Sequence, residues 1–147
     1  MKAADLDHLT GSVIGVSDWW EITQERVNAF ADATDDHQWI HVDEEKAKAG
    51  PFGGTIAHGF LTLSLTVAMT AELEMDVGSP AMAINYGLEK VRYPAPVPVG
   101  SRIRAHVELA SVADVEGGIQ VNRKLSIEVE GVEKPAMVAE TVSRYYY

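Results

Sequence analysis

Residues 56–73 read IAHGFLTLSLTVAMTAEL, the longest apolar run of the chain. It is apolar enough to invite a membrane-spanning interpretation, but His58, Gly59, Ser64, three threonines and Glu72 interrupt it. A spanning helix wants about 20 predominantly apolar residues. A helix apolar around most of its circumference instead demands burial on most sides within a soluble fold. The stretch therefore predicts one long helix at the centre of the domain.

Downstream of Gly78 the period changes from helical to two. Ile103, Ala105, Val107 and Leu109 alternate with Arg102, Arg104, His106 and Glu108. Ile119, Val121, Leu125, Ile127 and Val129 alternate with Gln120, Lys124, Ser126 and Glu128. Both runs describe antiparallel strands buried on one face and wet on the other. Glu116-Gly117-Gly118 and Glu130-Gly131 supply reversals. Ala81–Tyr93 predicts a further strand with a bulge at Gly87, and Ala136–Tyr145 another. Upstream, Gly11–Ser17 predicts a short strand. Thr23 is placed to cap a helix, with Ile22 and Val27 at the two ends of a hydrophobic staple. Val27, Phe30, Ala31 and Thr34 carry that helix to Asp35-Asp36-His37. Val42–Ala49 predicts a second, short helix stopped by Gly50-Pro51. Helices followed by a run of strands define an α+β class, one long helix against an antiparallel meander.

Size and composition fit that picture. The 147 residues contain no repeat or Gly/Ser linker, so residues 1–147 form one domain. The absence of cysteine removes disulfide frameworks, thiolate metal sites and cysteine nucleophiles. Twenty-two acidic against twelve basic residues, a net charge of −10, argue against nucleic acid as a partner. No basic-plus-apolar leader is visible in residues 1–16, so a cytoplasmic location is expected.

The densest polar cluster is Thr34-Asp35-Asp36-His37-Gln38-Trp39-Ile40-His41. It describes a solvated helix end as well as it describes a site. Metal binding through His37 and His41 is disfavoured, because Gln38 stands where a zincin pattern requires Glu. Asp36 and His41, five apart across a turn, can meet over one water, with His as proton carrier and the carboxylate fixing the proton. A second cluster, Gly50-Pro51-Phe52-Gly53-Gly54-Thr55-Ile56-Ala57-His58-Gly59-Phe60, leads into the apolar helix. A helix start leaves backbone N–H groups unpaired and partly positive, which suits an oxyanion hole. A plain tight turn with His58 capping the helix accounts for the glycines equally well.

Together, Asp36-x4-His41 and Pro51-Phe52-Gly53-Gly54-x-Ile56-Ala57-His58-Gly59 resemble the MaoC-like dehydratase family, with the NodN-like branch closest and the (R)-specific enoyl-CoA hydratases as other members. Asn85–Tyr93 and Pro96-Val97-Pro98-Val99-Gly100 match the family's strand and following turn. The resemblance implies a hot-dog fold, an antiparallel sheet wrapped around one long helix, assembled as a homodimer. It implies a hydro-lyase without cofactor or metal, adding water reversibly and syn to trans-2-enoyl thioesters of CoA or acyl carrier protein to give (R)-3-hydroxyacyl thioesters. Asp36 and His41 would hold and activate the water and protonate the α-carbon, and the Gly59 N–H would stabilise the enolate oxygen. Gly53, Gly54, Ile56, His58, Asn85 and Gly87 would contact substrate. Two departures stand out: His37-Gln38-Trp39-Ile40 replaces a span that often contains Asn-Pro, and Val67, beside Thr66, replaces a helix serine.

Two rivals share the fold. A hot-dog thioesterase would use a carboxylate on the central helix, and Glu72 and Glu74 lie near its far end, expected to face solvent. A non-catalytic acyl-thioester-binding protein would bind without turnover. The phosphates of CoA would need local positive charge, for which Lys90, Arg92, Arg102, Arg104, Arg123 and Lys124 are the candidates. Tyr145-Tyr146-Tyr147 reads as a frayed strand end.

Overall fold

The computed structural model describes residues 1–73 and 75–147. In chain order the elements are α1 (Ala3–Leu6), β1 (Val13–Val16), β2 (Trp20–Glu21), α2 (Gln24–Thr34), α3 (Trp39–Val42), α4 (Glu44–Lys48), α5 (Gly59–Ala71), β3 (Met82–Arg92), β4 (Arg102–Val115), β5 (Gly118–Val129) and β6 (Met137–Tyr146). The strands form one antiparallel sheet in the order β1-β4-β5-β6-β3, with β2 added beside β4. This sheet wraps around α5, the hot-dog arrangement. No helix among the described residues is long and apolar enough to cross a membrane.

The alternation in the strands sets the core. Ile103, Ala105, Val107, Leu125, Ile127 and Val129 are buried and meet Leu61 and Met69 of α5. β4 and β5 join through Glu116-Gly117, where Gly117 takes a φ of 76°, a left-handed geometry that favours glycine in a tight hairpin. The expected bulge in β3 is present as a register shift between Asn85 and Gly87. The C-terminal tyrosines are not frayed. β6 runs to Tyr146, the Tyr147 N–H donates to the Gly117 carbonyl at 3.1 Å, and its hydroxyl donates to the Val77 carbonyl.

Two other expectations need correction. The expected short helix over 42–49 is α4, which starts at Glu44 because Asp43 leaves helical geometry and caps it, accepting a hydrogen bond from Lys46 N at 3.0 Å; the single turn α3 before it was not expected. The apolar stretch is helical only from Gly59, because the three residues before His58 pair in extended form with 97–99: Ala57 N donates to Val97 O at 2.8 Å and Val99 N to Thr55 O at 2.9 Å. Nor is α5 buried all round within the chain. Leu61, Thr62, Thr66 and Met69 are covered, whereas Phe60 and Val67 are exposed.

Thr23 caps α2 as expected, accepting from Arg26 N at 3.1 Å. Ile22 and Val27 both enter the main core and fix the angle of entry. The helix ends at Asp35, whose left-handed φ of 57° turns the chain sharply before Asp36.

Candidate active site

That turn, α3 and the start of α5 converge. Side-chain ligand atoms of Asp36, His41 and His58 all lie within 4.8 Å of one another. His41 is 6% exposed, and its Nδ1–H donates to the Ile56 carbonyl at 2.7 Å. The pairing fixes the tautomer and leaves Nε2 as the acceptor. Burial holds the His41 pKa below the ordinary histidine value, outweighing the Ile56 carbonyl and Asp36, which push it up. Burial thus favours the neutral form of the ring.

His58, expected to contact substrate, is enclosed by neighbouring side chains and backbone. It is 3% exposed, stacks on the His41 ring at 3.8 Å, and packs against Phe30 at 4.9 Å. Its Nε2–H donates to the backbone carbonyl of Asp36 at 2.9 Å, while Nδ1 is buried with no partner. It makes no side-chain cap on α5. Its ring instead ties the helix start to the loop carrying Asp36. The Asp36 carboxylate itself is 52% exposed, so solvent reaches it. The stacked histidine rings are only 22° from parallel, so their in-plane lone pairs do not converge on one ion.

Gly59 opens α5, and its N–H has no intrahelical acceptor. A Cβ there would stand 3.1 Å from the Tyr93 ring, so a side chain would crowd the approach. His41, Ile56, Gly59, Thr62 and Tyr93 line one cavity of about 330 Å³. The base and the free N–H thus face a common space.

Not every expected residue joins them. Gly53 is exposed in the preceding loop, and neither Gly53 nor Gly54 has an atom within 4 Å of where a Cβ would lie, so nothing crowds either. Gly87 marks the β3 bulge, and Asn85 faces a second cavity between α5 and the sheet. Glu72 is held at the far end of α5, accepting from Asp18 N at 3.0 Å and Trp20 Nε1 at 2.7 Å, which removes it from the site. Glu74 lies outside the described residues. Arg102 pairs with Glu130, Arg104 and His106 with Glu128, and Lys124 with Glu108 on the outer face of the sheet. Arg123 points inward and is unavailable to a nucleotide.

Two residues without an obvious signal complete the site. Gln24 Nε2 donates to the His41 carbonyl at 2.8 Å, and Thr55 donates to Gln24 Oε1 at 2.6 Å. This brace fastens α3 to α2 and to the segment before α5.

The fold is that of the hot-dog enzymes. The sequence matches the MaoC like domain over residues 6–131, and the chain belongs to that family of dehydratases. It is 57% identical over 145 residues to the 3-hydroxyacyl-thioester dehydratase Z of Mycobacterium tuberculosis, covering 98% of this chain and 95% of that one. Nodulation protein N of Rhizobium leguminosarum is 39% identical over 145 residues, covering 97% of this chain and 90% of its own. Among solved structures, the monoamine oxidase regulatory protein from Archaeoglobus superposes with a TM-score of 0.82 at 27% identity, covering 99% of this chain and 94% of that one.

Proposed function

We propose that the protein hydrates trans-2-enoyl thioesters reversibly to (R)-3-hydroxyacyl thioesters, with Asp36, His41 and Gly59 as the working groups. The observation that carries this is the cavity shared by His41, with Nε2 free, and the unpaired Gly59 N–H; the Asp36 carboxylate lies within 4.8 Å of the His41 ring nitrogen. The substrate class agrees with the name of the mycobacterial relative.

The chemistry follows from these positions. Water sits between the Asp36 carboxylate and His41 Nε2. Its oxygen bonds to C3 as one proton passes to Nε2, and the π electrons move onto the thioester oxygen as an enolate. The Gly59 N–H, at the positive end of α5, donates to that oxygen. The imidazolium, steadied by Asp36, then returns its proton to C2 from the same face, so the base ends as it began. Lys90 and Arg92 have no ion pair among the described residues and lie within three residues of Tyr93, at the cavity wall; they are the cations offered to the CoA phosphates.

The working unit is a homodimer. Met82, Ile84, Tyr86 and Leu88 are exposed on β3, which ends the sheet, and Phe60 and Val67 are exposed on α5. Such an edge and apolar face call for cover.

Incubation with crotonyl-CoA tests the reading through loss of the conjugated-enoyl absorbance and chiral analysis of the product. An (R) product is expected, with Asp36→Asn or His41→Ala each lowering turnover by about 10²–10⁴-fold. An (S) product, no hydration by folded protein, or thiol release from saturated acyl-CoA instead would overturn it.

A further inference from the structure

The second cavity, of about 400 Å³, lies between the C-terminal half of α5 and the inner face of β5, β6 and β3. Its lining breaks the pattern of that face. Arg123 occupies a core position on β5, directly opposite Thr141 of β6, and is only 8% exposed. Thr141, Ser143 and Tyr145 follow at alternate positions of β6 on the same face, and Asn85 of β3 is opposite Ser143. Polar groups on three adjacent strands thus gather where the rest of the face is apolar.

Charge and hydrogen bonding are both incomplete there. Burying a cation is costly unless it is paired and its donors are satisfied. Among the described residues the lining contains no Asp or Glu and Arg123 has no carboxylate partner. One hydrogen bond is made, from Nη2 to the Tyr145 hydroxyl at 2.7 Å, out of the five N–H donors a guanidinium carries. Because the Tyr145 oxygen accepts that bond, its own proton is free to donate. The side chains of Asn85, Thr141 and Ser143 likewise have no hydrogen-bond partner among the described residues. Leu73, Val107 and Leu125 supply apolar wall beside them.

We propose that this cavity is a carboxylate-binding site, taking an anionic head against Arg123 and Tyr145 with a short apolar body against Leu73 and Leu125. A planar carboxylate matches the fork of a guanidinium, and the low-dielectric wall strengthens the pairing. The site lies farther along α5 than the His41 cavity: Thr66 and Thr70 are on its wall, and Thr66 is one turn, about 6 Å, beyond Thr62 of the other at a helical rise of 1.5 Å per residue. Two sources share the chemistry. One is a free short-chain acid. The other is the far end of a dicarboxylic acyl thioester, a source that rests on the hydratase reading above.

Titration calorimetry of the full chain with hexanoate and with hexan-1-ol tests the proposal. Hexanoate should bind at least tenfold more tightly than the alcohol, and Arg123→Gln should weaken it by about 10–100-fold, the worth of a charge-assisted hydrogen bond. Arg123→Lys should restore part of the loss. Tyr145→Phe, which keeps the ring, should also weaken hexanoate and serves if Arg123→Gln does not fold. Equal binding of acid and alcohol, or unchanged affinity in both variants, overturns the site. Kinetics with enoyl-CoA substrates of equal length separate the sources: an Arg123-dependent preference for a carboxylate end assigns the acyl chain, and its absence beside hexanoate binding assigns the free acid. Crotonyl-CoA turnover without hexanoate binding rejects the site and leaves the hydratase reading standing; the reverse result rejects that reading alone.

Discussion

His41 and His58 are stacked imidazoles with different work, and burial separates them. His41 keeps one nitrogen toward the cavity, whereas both edges of His58 are enclosed. The depressed pKa of His41 has a signed consequence. The base is lost only on protonation, so the acid limb of kcat/KM should fall below the ordinary histidine value of about 6.5. Stability should fall in the same direction, because the unfolded chain takes up the proton first as pH drops and the native state resists it. A pH–rate profile beside melting temperatures measured between about pH 7 and pH 5 checks both signs; an acid limb above 6.5 would contradict the role given to this ring. At this scale the sequence was informative in part. Asp36 and His41 were legible because one turn brings them together. The hydrogen bond of His58 was not, because its acceptor is a carbonyl 22 residues away.

Among the elements, α3 is the one that delivers His41, and four residues do not hold themselves in place. The Thr55–Gln24–His41 brace supplies the support. Replacing Gln24 by Leu should leave KM nearly unchanged and lower kcat by about 10–100-fold, the usual scale for misplacing a reacting group. Steady-state kinetics on protein of confirmed helicity and melting temperature decide this, since a loss of fold would lower both together. The strands and the capped α2 could be read from periodicity and from Thr23, because those signals are local. The split between α3 and α4 could not, because it depends on Asp43 bonding to Lys46 N rather than continuing a helix. The start of α5 was hidden for a related reason: residues 55–57 are apolar enough for a helix but pair with 97–99 instead.

Over the whole molecule, the net charge of −10 coexists with two cationic arrangements of opposite character. On the outer face Arg102 and Arg104 pair with Glu130 and Glu128, whereas Arg123 is carried inside with no carboxylate partner among the described residues. The sequence suggested that any of these cations could meet a phosphate. Only the register of β5 and its pairing showed which were already engaged. The apolar edge of β3 carries the assembly prediction: Leu88→Lys should convert a dimer to monomer in sedimentation equilibrium while far-ultraviolet circular dichroism stays unchanged. The exposed stripe of α5 offers an independent view of the same event. Since the chain contains no cysteine, Val67→Cys would install a solitary thiol at a position 53% exposed in the single chain. Its rate of alkylation then becomes a clock for association, slow at concentrations where the subunits are joined and fast on dilution.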